Sequence, residues 1–297
     1  MPVLHRSQLK AEGILCMNNE RELSLAWRMY SEDNQDNLIL ASDDGNGNAY
    51  ATVPTGGSTH HNDLYAWTWS KMNWSGANGF NWDINADIVL RPLWQYYKNA
   101  KIQKCPADPS TVPVAGAPPG SLYSNGQIAA RIRSISMNWF LGGFGANSSE
   151  TVSSPAPWPP YFPFYTKMSQ INILATSPGP SGTFVFIDER PDCINWGNYL
   201  QDMTGAAYAG RHAVPSQYQF VEDMPASFHG GSCGLSFADG HAEIHRWRDG
   251  VTLQPPAANG TSLNSPRSGT PGEGTVFADP FGADVAYMQS VSATPHQ

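Results

Sequence analysis

The chain has 297 residues, of which 28 are glycine and 24 are proline, and only 14% of its residues are charged. This composition favours long hydrogen-bonded loops, while ten tryptophans, twelve tyrosines and twelve phenylalanines are enough to build an aromatic core. The net charge of −8 at pH 7, without a long basic cluster in the sequence, argues against nucleic acid as a partner.

The first predicted element is one long helix over residues 3–34. Cys16, Leu23, Trp27 and Tyr30 lie at i, i+7, i+11 and i+14, which places them on one apolar stripe of a helix. The polar residues that follow predict a turn. No run of about 18 apolar residues occurs, so the sequence as given predicts no membrane-spanning helix.

The middle of the chain is predicted to be rich in loops. Residues 42–85 should form loops and short strands, and a short second helix is expected over 85–99. Pro92 must lie in the first turns of that helix or kink it. The Pro-, Gly- and Ser-rich stretches 106–125 and 145–165 predict excursions over the surface.

Strands are predicted in the second half of the chain. Residues 183–188 form a short apolar run, and residues 235–245 read as a hairpin around a type I′ turn at Asp239 and Gly240. In that register Ser236, His241, Glu243 and His245 share a polar face, opposite the apolar Leu235, Phe237, Ala242 and Ile244. Residues 254–275 have almost no apolar side chains and predict a flexible arm.

The polar face of the hairpin is a candidate metal site. His241, Glu243 and His245 stand two residues apart on one strand, and zinc accepts two imidazoles and a carboxylate. Asp188, Glu189 and Asp192 could also join His229 or Asp239 in one polar cluster, and a Ca²⁺ site would need several such oxygens. A solvated polar face explains the three hairpin residues without a metal, and it is the interpretation we favour at this point.

Candidate catalytic residues are acids and one histidine, and no G-x-S-x-G nucleophile motif is present in the sequence. A carboxylate pair for glycoside hydrolysis needs only proximity in space, so that possibility stays open. The candidates are Asp188, Glu189, His229, Asp239 and Glu243. Trp67, Trp69, Trp74 and Trp82 could stack on sugar rings, although tryptophan in a loop-rich domain is more often part of the core.

The four cysteines are Cys16, Cys105, Cys193 and Cys233, and none of them forms a C-x-x-C pair. An even number of widely spaced cysteines suits one or two disulfides in an oxidising compartment. Four buried thiols in a cytosolic protein are the alternative, and the sequence leaves both open.

Several motifs in order resemble one known family. The helix sequence around Cys16–Asn34 resembles the start of the prepilin-type proteins abundant in Planctomycetes and Verrucomicrobia. The stretches 90–94, 104–108 and 134–138 look like the middle motifs of that family, and its H-X9-DG signature is met by His229, Asp239 and Gly240. The resemblance covers residues 2 to about 250.

The resemblance implies an α+β, pilin-like fold, in which a long N-terminal helix packs on an antiparallel sheet with long loop-rich insertions. It divides the chain into a truncated pilin-type helix at 1–37, a globular head at 38–253, and a flexible arm with a short terminal segment at 254–297. It also implies pairing of Cys16 with Cys105 and of Cys193 with Cys233. Glu20 departs from the family, which has an apolar residue there, and is expected to face solvent or to meet Arg131 or Arg133.

The family's precursors carry a leader and an apolar membrane helix before this region, so Met1 is expected to be an introduced start. Without that helix this form should not polymerise, and membrane contact would run only through the missing segment. The expected function is that of an extracytoplasmic pseudopilin-like subunit, periplasmic or at the cell surface, for filament or secretion-system assembly with other pilin-like subunits. The alternatives are an extracytoplasmic hydrolase of polysaccharide or ester, and a tryptophan-based carbohydrate-binding module.

Overall fold

The computed structural model describes residues 2–42, 65–68, 72–143, 162, 164–173, 177–207, 211–260, 276–279 and 282–293. Their helices and strands form a mixed α+β fold. None of the described helices combines the length and the apolar content needed to cross a membrane.

Helix α1 spans Pro2–Asp33, which confirms the predicted long N-terminal helix. The predicted apolar stripe is its buried side, where Cys16, Leu23 and Trp27 are fully buried. The helix ends where Gln35 and Asp36 adopt positive φ angles of 58° and 71°, because left-handed residues cannot continue a right-handed helix.

The central sheet has five strands in the order β5-β3-β4-β7-β8, and all neighbours are antiparallel except the β3–β5 pair. Helix α1 packs along one face of this sheet, mainly against β7 and β8 and to a lesser extent against β4. The opposite face carries a second hydrophobic core. The strands are β3 (Ile135–Asn138), β4 (Phe184–Asp188), β5 (Asn198–Tyr199), β7 (Ser232–Phe237) and β8 (Ala242–Arg246).

Two small antiparallel sheets complete the described strands. Strand β1 (Thr111–Pro113) pairs with β2 (Ile128–Ala130), and β6 (Gln219–Val221) pairs with β9 (Val276–Ala278). The second of these pairs joins the end of the chain to the head.

The predicted helix over 85–99 is wrong as a single element. The region consists of 3₁₀ turns at Ile84–Ala86 and Ile88–Leu90 and one α-helical turn, α2, at Trp94–Tyr97. Pro92 is the cause, because a proline pushes the preceding residue out of the helical region, and Arg91 accordingly has φ −88° and ψ 150°. A further 3₁₀ turn follows at Ala100–Gln103.

The β7–β8 hairpin is confirmed, but its predicted register is wrong by one residue. Ser236 pairs with Ala242 and Leu235 with Glu243, because Phe237 bonds to His241 across a three-residue loop that ends in Gly240 at φ 94°. Such loops place glycine in the left-handed position, so the Asp-Gly sequence serves a longer turn than the type I′ turn predicted. A one-residue slip exchanges the faces of a strand.

The end of the chain belongs to the core of the head. A flexible arm over 254–275 and a short terminal segment were predicted, and in that terminal segment helix α4 (Ala283–Ser292) buries Val285 and Met288 in the same core as Leu235 and Phe237. Residues 261–275 of the predicted arm lie outside the described residues. Helix α3 (Met168–Ile171) is a single turn that packs beside the end of α1.

Candidate functional site

Four side chains with metal-ligand chemistry meet under the middle of helix α1. Cys16 lies on the buried side of α1, Cys105 follows the 3₁₀ turn Ala100–Gln103, Asp188 ends β4, and His229 lies in the loop before β7. One ligand atom from each lies within 4.8 Å of the others. We call this group the four-residue cluster.

The contacts within the four-residue cluster form a closed set. The Cys16 thiol donates a hydrogen bond to Asp188 Oδ2 at 2.6 Å, and Cys105 Sγ lies 3.2 Å from His229 Nε2. His229 Nε2 is also 3.9 Å from Asp188 Oδ2. Because all four side chains are hardly exposed, their polar contacts are with each other and with neighbouring protein groups rather than with water.

Burial decides the protonation of the four-residue cluster. It raises the pKa of Asp188 to about 6, although the hydrogen bonds with Cys16 and Cys105 oppose the shift. The pKa of Cys105 rises to about 12, chiefly through burial, and that of Cys16 rises through its hydrogen bond with Cys105 and through burial. Burial lowers the pKa of His229. Both thiols and the imidazole are therefore neutral around pH 7 when no cation is bound.

Ser134 forms hydrogen bonds with two members of the four-residue cluster. Ser134 Oγ accepts a 2.8 Å bond from the backbone N–H of Cys105 and donates a 3.3 Å bond to Asp188 Oδ1. Gly13 of α1 lies beside His229, and a Cβ added there would be in ordinary van der Waals contact, 3.4 Å from Cγ of the imidazole. Ligand-type side chains that are fixed in this way keep one orientation.

Glu20 lies one helical turn beyond Cys16 and is fully buried. The expectation that it faces solvent or meets Arg131 or Arg133 is wrong, because it packs against Gly234 of β7 on the helix side of the sheet. Burial raises its pKa, and the nearby charge of Asp188 raises it further. Arg131 instead donates to the Pro191 carbonyl.

Asp188 and Glu189 do not form a catalytic pair. They are consecutive at the end of β4, so they leave the sheet on opposite sides. Asp188 reaches Cys16 under the helix, whereas Glu189 accepts a 2.5 Å bond from Ser136 on the other face. Burial raises the pKa of Glu189 to about 8, against the hydrogen bond from Ser136 and the charge of Arg133.

The predicted metal site on the hairpin does not assemble. His241 stacks on Phe237 and its Nδ1 lies 2.6 Å from Asp239, while His245 stacks on Tyr287 of α4. Tyr287 also donates to Glu243 at 2.9 Å. The register shift is the physical reason, since it places these residues on the face that α4 covers. Among the described residues, the only metal-competent group is the four-residue cluster.

The candidate stacking tryptophans are largely part of the interior. Trp67 and Trp82 are buried, and their indole N–H groups donate to the carbonyls of Gly197 and Gly76. Trp74 is half-buried, with the guanidinium of Arg131 lying 4.3 Å from its ring centroid. Trp69 lies outside the described residues. The described tryptophans therefore do not present the flat row that a sugar-binding surface needs.

The predicted disulfides are not formed in the structure, where all four cysteines are free and buried. Cys16 and Cys105 do meet, as the family resemblance implies, but as thiols within the four-residue cluster. Cys193 and Cys233 both lie in the hydrophobic core on the far face of the sheet. An apolar environment stabilises the neutral thiol, so burial raises the pKa of both.

Sequence reasoning identified half of the four-residue cluster. It placed Asp188 and His229 in one polar group, and the structure brings them together, whereas Asp239 lies apart in the hairpin loop and Asp192 pairs with Arg190. Cys16 was interpreted as part of an apolar stripe. Its position on the helix agrees with that interpretation, but the interpretation did not predict its contacts with polar side chains. The family resemblance carried the remaining signal, because Cys16, Cys105 and His229 all belong to its motifs and it implies that Cys16 and Cys105 meet. Comparisons of the chain with protein-family models, with curated proteins and with solved structures found no significant match.

Proposed function

We propose that this chain is a pilin-like, extracytoplasmic subunit that takes part in assembling a surface filament or a secretion system. The observation that carries the proposal is the uneven packing of helix α1. From Gly13 to Ser31 its inner side is buried on the head, whereas the described side chains before Gly13 are exposed or half-buried. Leu9 still lies beside Gly230 of the loop before β7, and at a rise of about 1.5 Å per residue the helix residues before it extend roughly 10 Å beyond the packed part.

The outer side of the helix carries apolar side chains that the head does not cover. Leu4 is 77% exposed, Ile14 56% and Leu15 55%. A helix that protrudes from its own head and keeps apolar residues on its free side is suited to packing against other helices, since such patches mark interaction sites in proteins. A second subunit of the same kind is the partner that the proposal requires.

The other candidate functions gain no comparable support from the described residues. The hydrolase hypothesis rested on acids that lie on opposite faces of the sheet or along the β7–β8 hairpin. The carbohydrate-binding hypothesis rested on tryptophans that are mostly internal. An α+β core whose candidate acids contact other protein side chains fits a structural subunit.

Site-specific photocross-linking in the cells that make the protein tests the proposal. A benzophenone side chain at Leu4 or Leu15 should give adducts with a second copy or with another subunit that has a similar N-terminal helix, identified by mass spectrometry. The matched control is Leu122, which is 75% exposed in the loop between β1 and β2. Adducts from Leu122 without any from the helix positions would contradict the proposal.

Cell fractionation tests the location separately. The protein should be found in the envelope or in material sheared from the cell surface, and it should be cleaved when protease is added outside the cytoplasmic membrane. Recovery with soluble cytosolic markers, protected from that protease, would contradict the extracytoplasmic placement.

A further inference from the structure

We propose that the four-residue cluster is a structural zinc site, with the two sulfurs of Cys16 and Cys105, one oxygen of Asp188 and Nε2 of His229 as its ligands. This inference does not depend on the proposed function, because it rests on the geometry of the cluster alone. It also differs from the site predicted on the hairpin, with which it shares no residue.

The spacing of the four ligand atoms suits a tetrahedral ion. Zinc binds sulfur at about 2.3 Å and nitrogen or oxygen at roughly 2.0–2.2 Å, so neighbouring ligand atoms in a tetrahedron lie about 3.3–3.8 Å apart. The observed separations are 3.2 Å between Cys105 and His229 and 3.9 Å between His229 and Asp188. The 2.6 Å contact between Cys16 and Asp188 must open to admit the ion, and the remaining pairs, all within 4.8 Å, must adjust to the tetrahedral spacing.

Among the described residues, the acids at the cluster have no lysine or arginine partner. Asp188 is fully buried, and its one ion-pair contact among these residues is with His229. Glu20 adds a second buried carboxyl one helical turn away. Buried acids are normally paired with a cationic side chain or with a metal, and a divalent ion here would give Asp188 a cation in direct contact.

The ligand set selects the metal. Two thiolates and an imidazole are soft or borderline donors, which favour zinc and disfavour Ca²⁺ and Mg²⁺, since these bind oxygen. All four positions of the tetrahedron are filled by protein atoms, and the two sulfurs and the carboxylate are fully buried. A closed set without a position for water is typical of structural rather than catalytic zinc.

The position of the ligands explains what the ion would do. They come from helix α1, from the segment after the 3₁₀ turn Ala100–Gln103, from the end of β4 and from the loop before β7, so one ion would fasten the helix to three parts of the head. On binding, the two thiols release their protons to solvent and Asp188 binds as the carboxylate. No oxidation or reduction is involved.

Metal analysis of the purified protein tests the inference directly. Protein made in zinc-supplemented medium and purified without chelator should hold about one zinc per chain. Replacement of that zinc by Co²⁺ should give the intense visible absorption of a tetrahedral ion and a sulfur-to-cobalt charge-transfer band in the near ultraviolet. These measurements use the unaltered chain, so they stay decisive if a ligand variant fails to fold.

Variants then assign the ligands. Cys105→Ser and His229→Ala should each lower the zinc content to below about one tenth of the original, and Ser134→Ala should weaken zinc affinity by about tenfold, as expected for a group that orients two ligands. Cys193→Ser is the matched control, because Cys193 is also a buried free thiol but lies outside the cluster. It should keep its zinc and its cobalt spectrum.

The competing outcome is a bond between the two cysteines. Alkylation of the unfolded, unreduced protein after zinc removal should modify all four thiols if the metal site is correct. A mass that shows Cys16 joined to Cys105 would overturn the inference, and so would a stoichiometric loss of zinc in Cys193→Ser. Absence of bound zinc together with a featureless cobalt spectrum would do the same.

Discussion

Glu20 of helix α1 lies so close to Gly234 of strand β7 that a Cβ added at Gly234 would be 2.5 Å from the nearer carboxyl oxygen. This contact lets the helix sit directly on the sheet. Gly234→Ala should therefore force the buried carboxyl to move and lower the free energy of unfolding by about 1–3 kcal/mol, the usual cost of overpacking. Urea unfolding followed by circular dichroism measures the change.

Gly250→Ala is the control for that substitution, because a Cβ at Gly250 meets nothing within 4 Å. It should change the free energy of unfolding by less than about 0.5 kcal/mol. Combining Gly234→Ala with Glu20→Ala should cost less than the sum of the two single changes, since the clash needs both residues. If the two changes in the free energy of unfolding simply added, the contact between Glu20 and residue 234 would not be the cause of the destabilisation.

Gly240 provides a test of the hairpin loop. With φ at 94°, Gly240→Ala should destabilise the protein by about 1–2 kcal/mol, because an L-residue is strained in the left-handed region. Gly240→Asn should cost less, since asparagine tolerates that region better. Thermal unfolding of the two variants, compared with Gly250→Ala, measures the difference, and equal losses in all three would contradict the loop geometry.

The hairpin shows how far the sequence determines this fold. Alternation of apolar and polar residues predicted both strands of the hairpin, and the spacing of Cys16, Leu23 and Trp27 predicted the long helix. The pairing register of the hairpin could not be predicted from the sequence, because the Asp-Gly pair suits both a two-residue and a three-residue loop. The apolar face could not decide between them, since helices α1 and α4 cover the sheet on both sides.

The candidate site was less predictable for a different reason. Its four residues are spread over more than 200 positions of sequence and come from four separate segments, so no local spacing reveals them. Cys16 fits the apolar stripe of the helix, so the sequence pattern gives no sign of its polar contacts. Glu20 interrupts the stripe, but the pattern does not identify the residues that it contacts. Only the packing of helix on sheet shows that both approach Asp188.

The raised pKa of Asp279 leads us to predict that the stability of the protein depends on pH. Burial, then the nearby charge of Asp249 and a hydrogen bond with that carboxyl, raise its pKa from 3.8 to about 6. The folded protein therefore holds this proton more tightly than the unfolded chain does, so the group costs stability as the pH rises from about 4 to about 6. Asp279→Asn should remove that cost.

The measurement is the melting temperature of Asp279→Asn and of the unaltered protein at about pH 4 and about pH 7, on either side of that range. The difference between the two should shift in favour of the variant at the higher pH. Glu32→Gln, which changes an exposed carboxylate on α1, is the control for the loss of one acidic side chain. A larger advantage of Asp279→Asn at the lower pH would contradict the sign of the shift.

Trp67 distinguishes a core residue from a sugar-binding one. It is buried, stacks edge-to-face on Phe186 at 5.1 Å between ring centroids, and donates to the Gly197 carbonyl at 2.9 Å. Trp67→Ala should lower the free energy of unfolding by about 3–5 kcal/mol. Trp74→Ala, at a half-buried ring, should lower the free energy of unfolding clearly less in the same urea titration. A larger loss in Trp74→Ala than in Trp67→Ala would contradict the assignment of Trp67 to the core.

Met288 tests whether the end of the chain is part of the head. It is fully buried in helix α4 among the apolar side chains on the far face of the sheet, so Met288→Ala should leave a cavity and lower the free energy of unfolding by about 2–5 kcal/mol. Ser290→Ala, at an exposed position of the same helix, should stay within about 0.5 kcal/mol. A peripheral arm would give two small and similar values, because its side chains would be solvated in both states. A single cooperative unfolding transition, whose midpoint moves to a lower urea concentration in Met288→Ala and not in Ser290→Ala, would show that α4 folds as one unit with the sheet it covers.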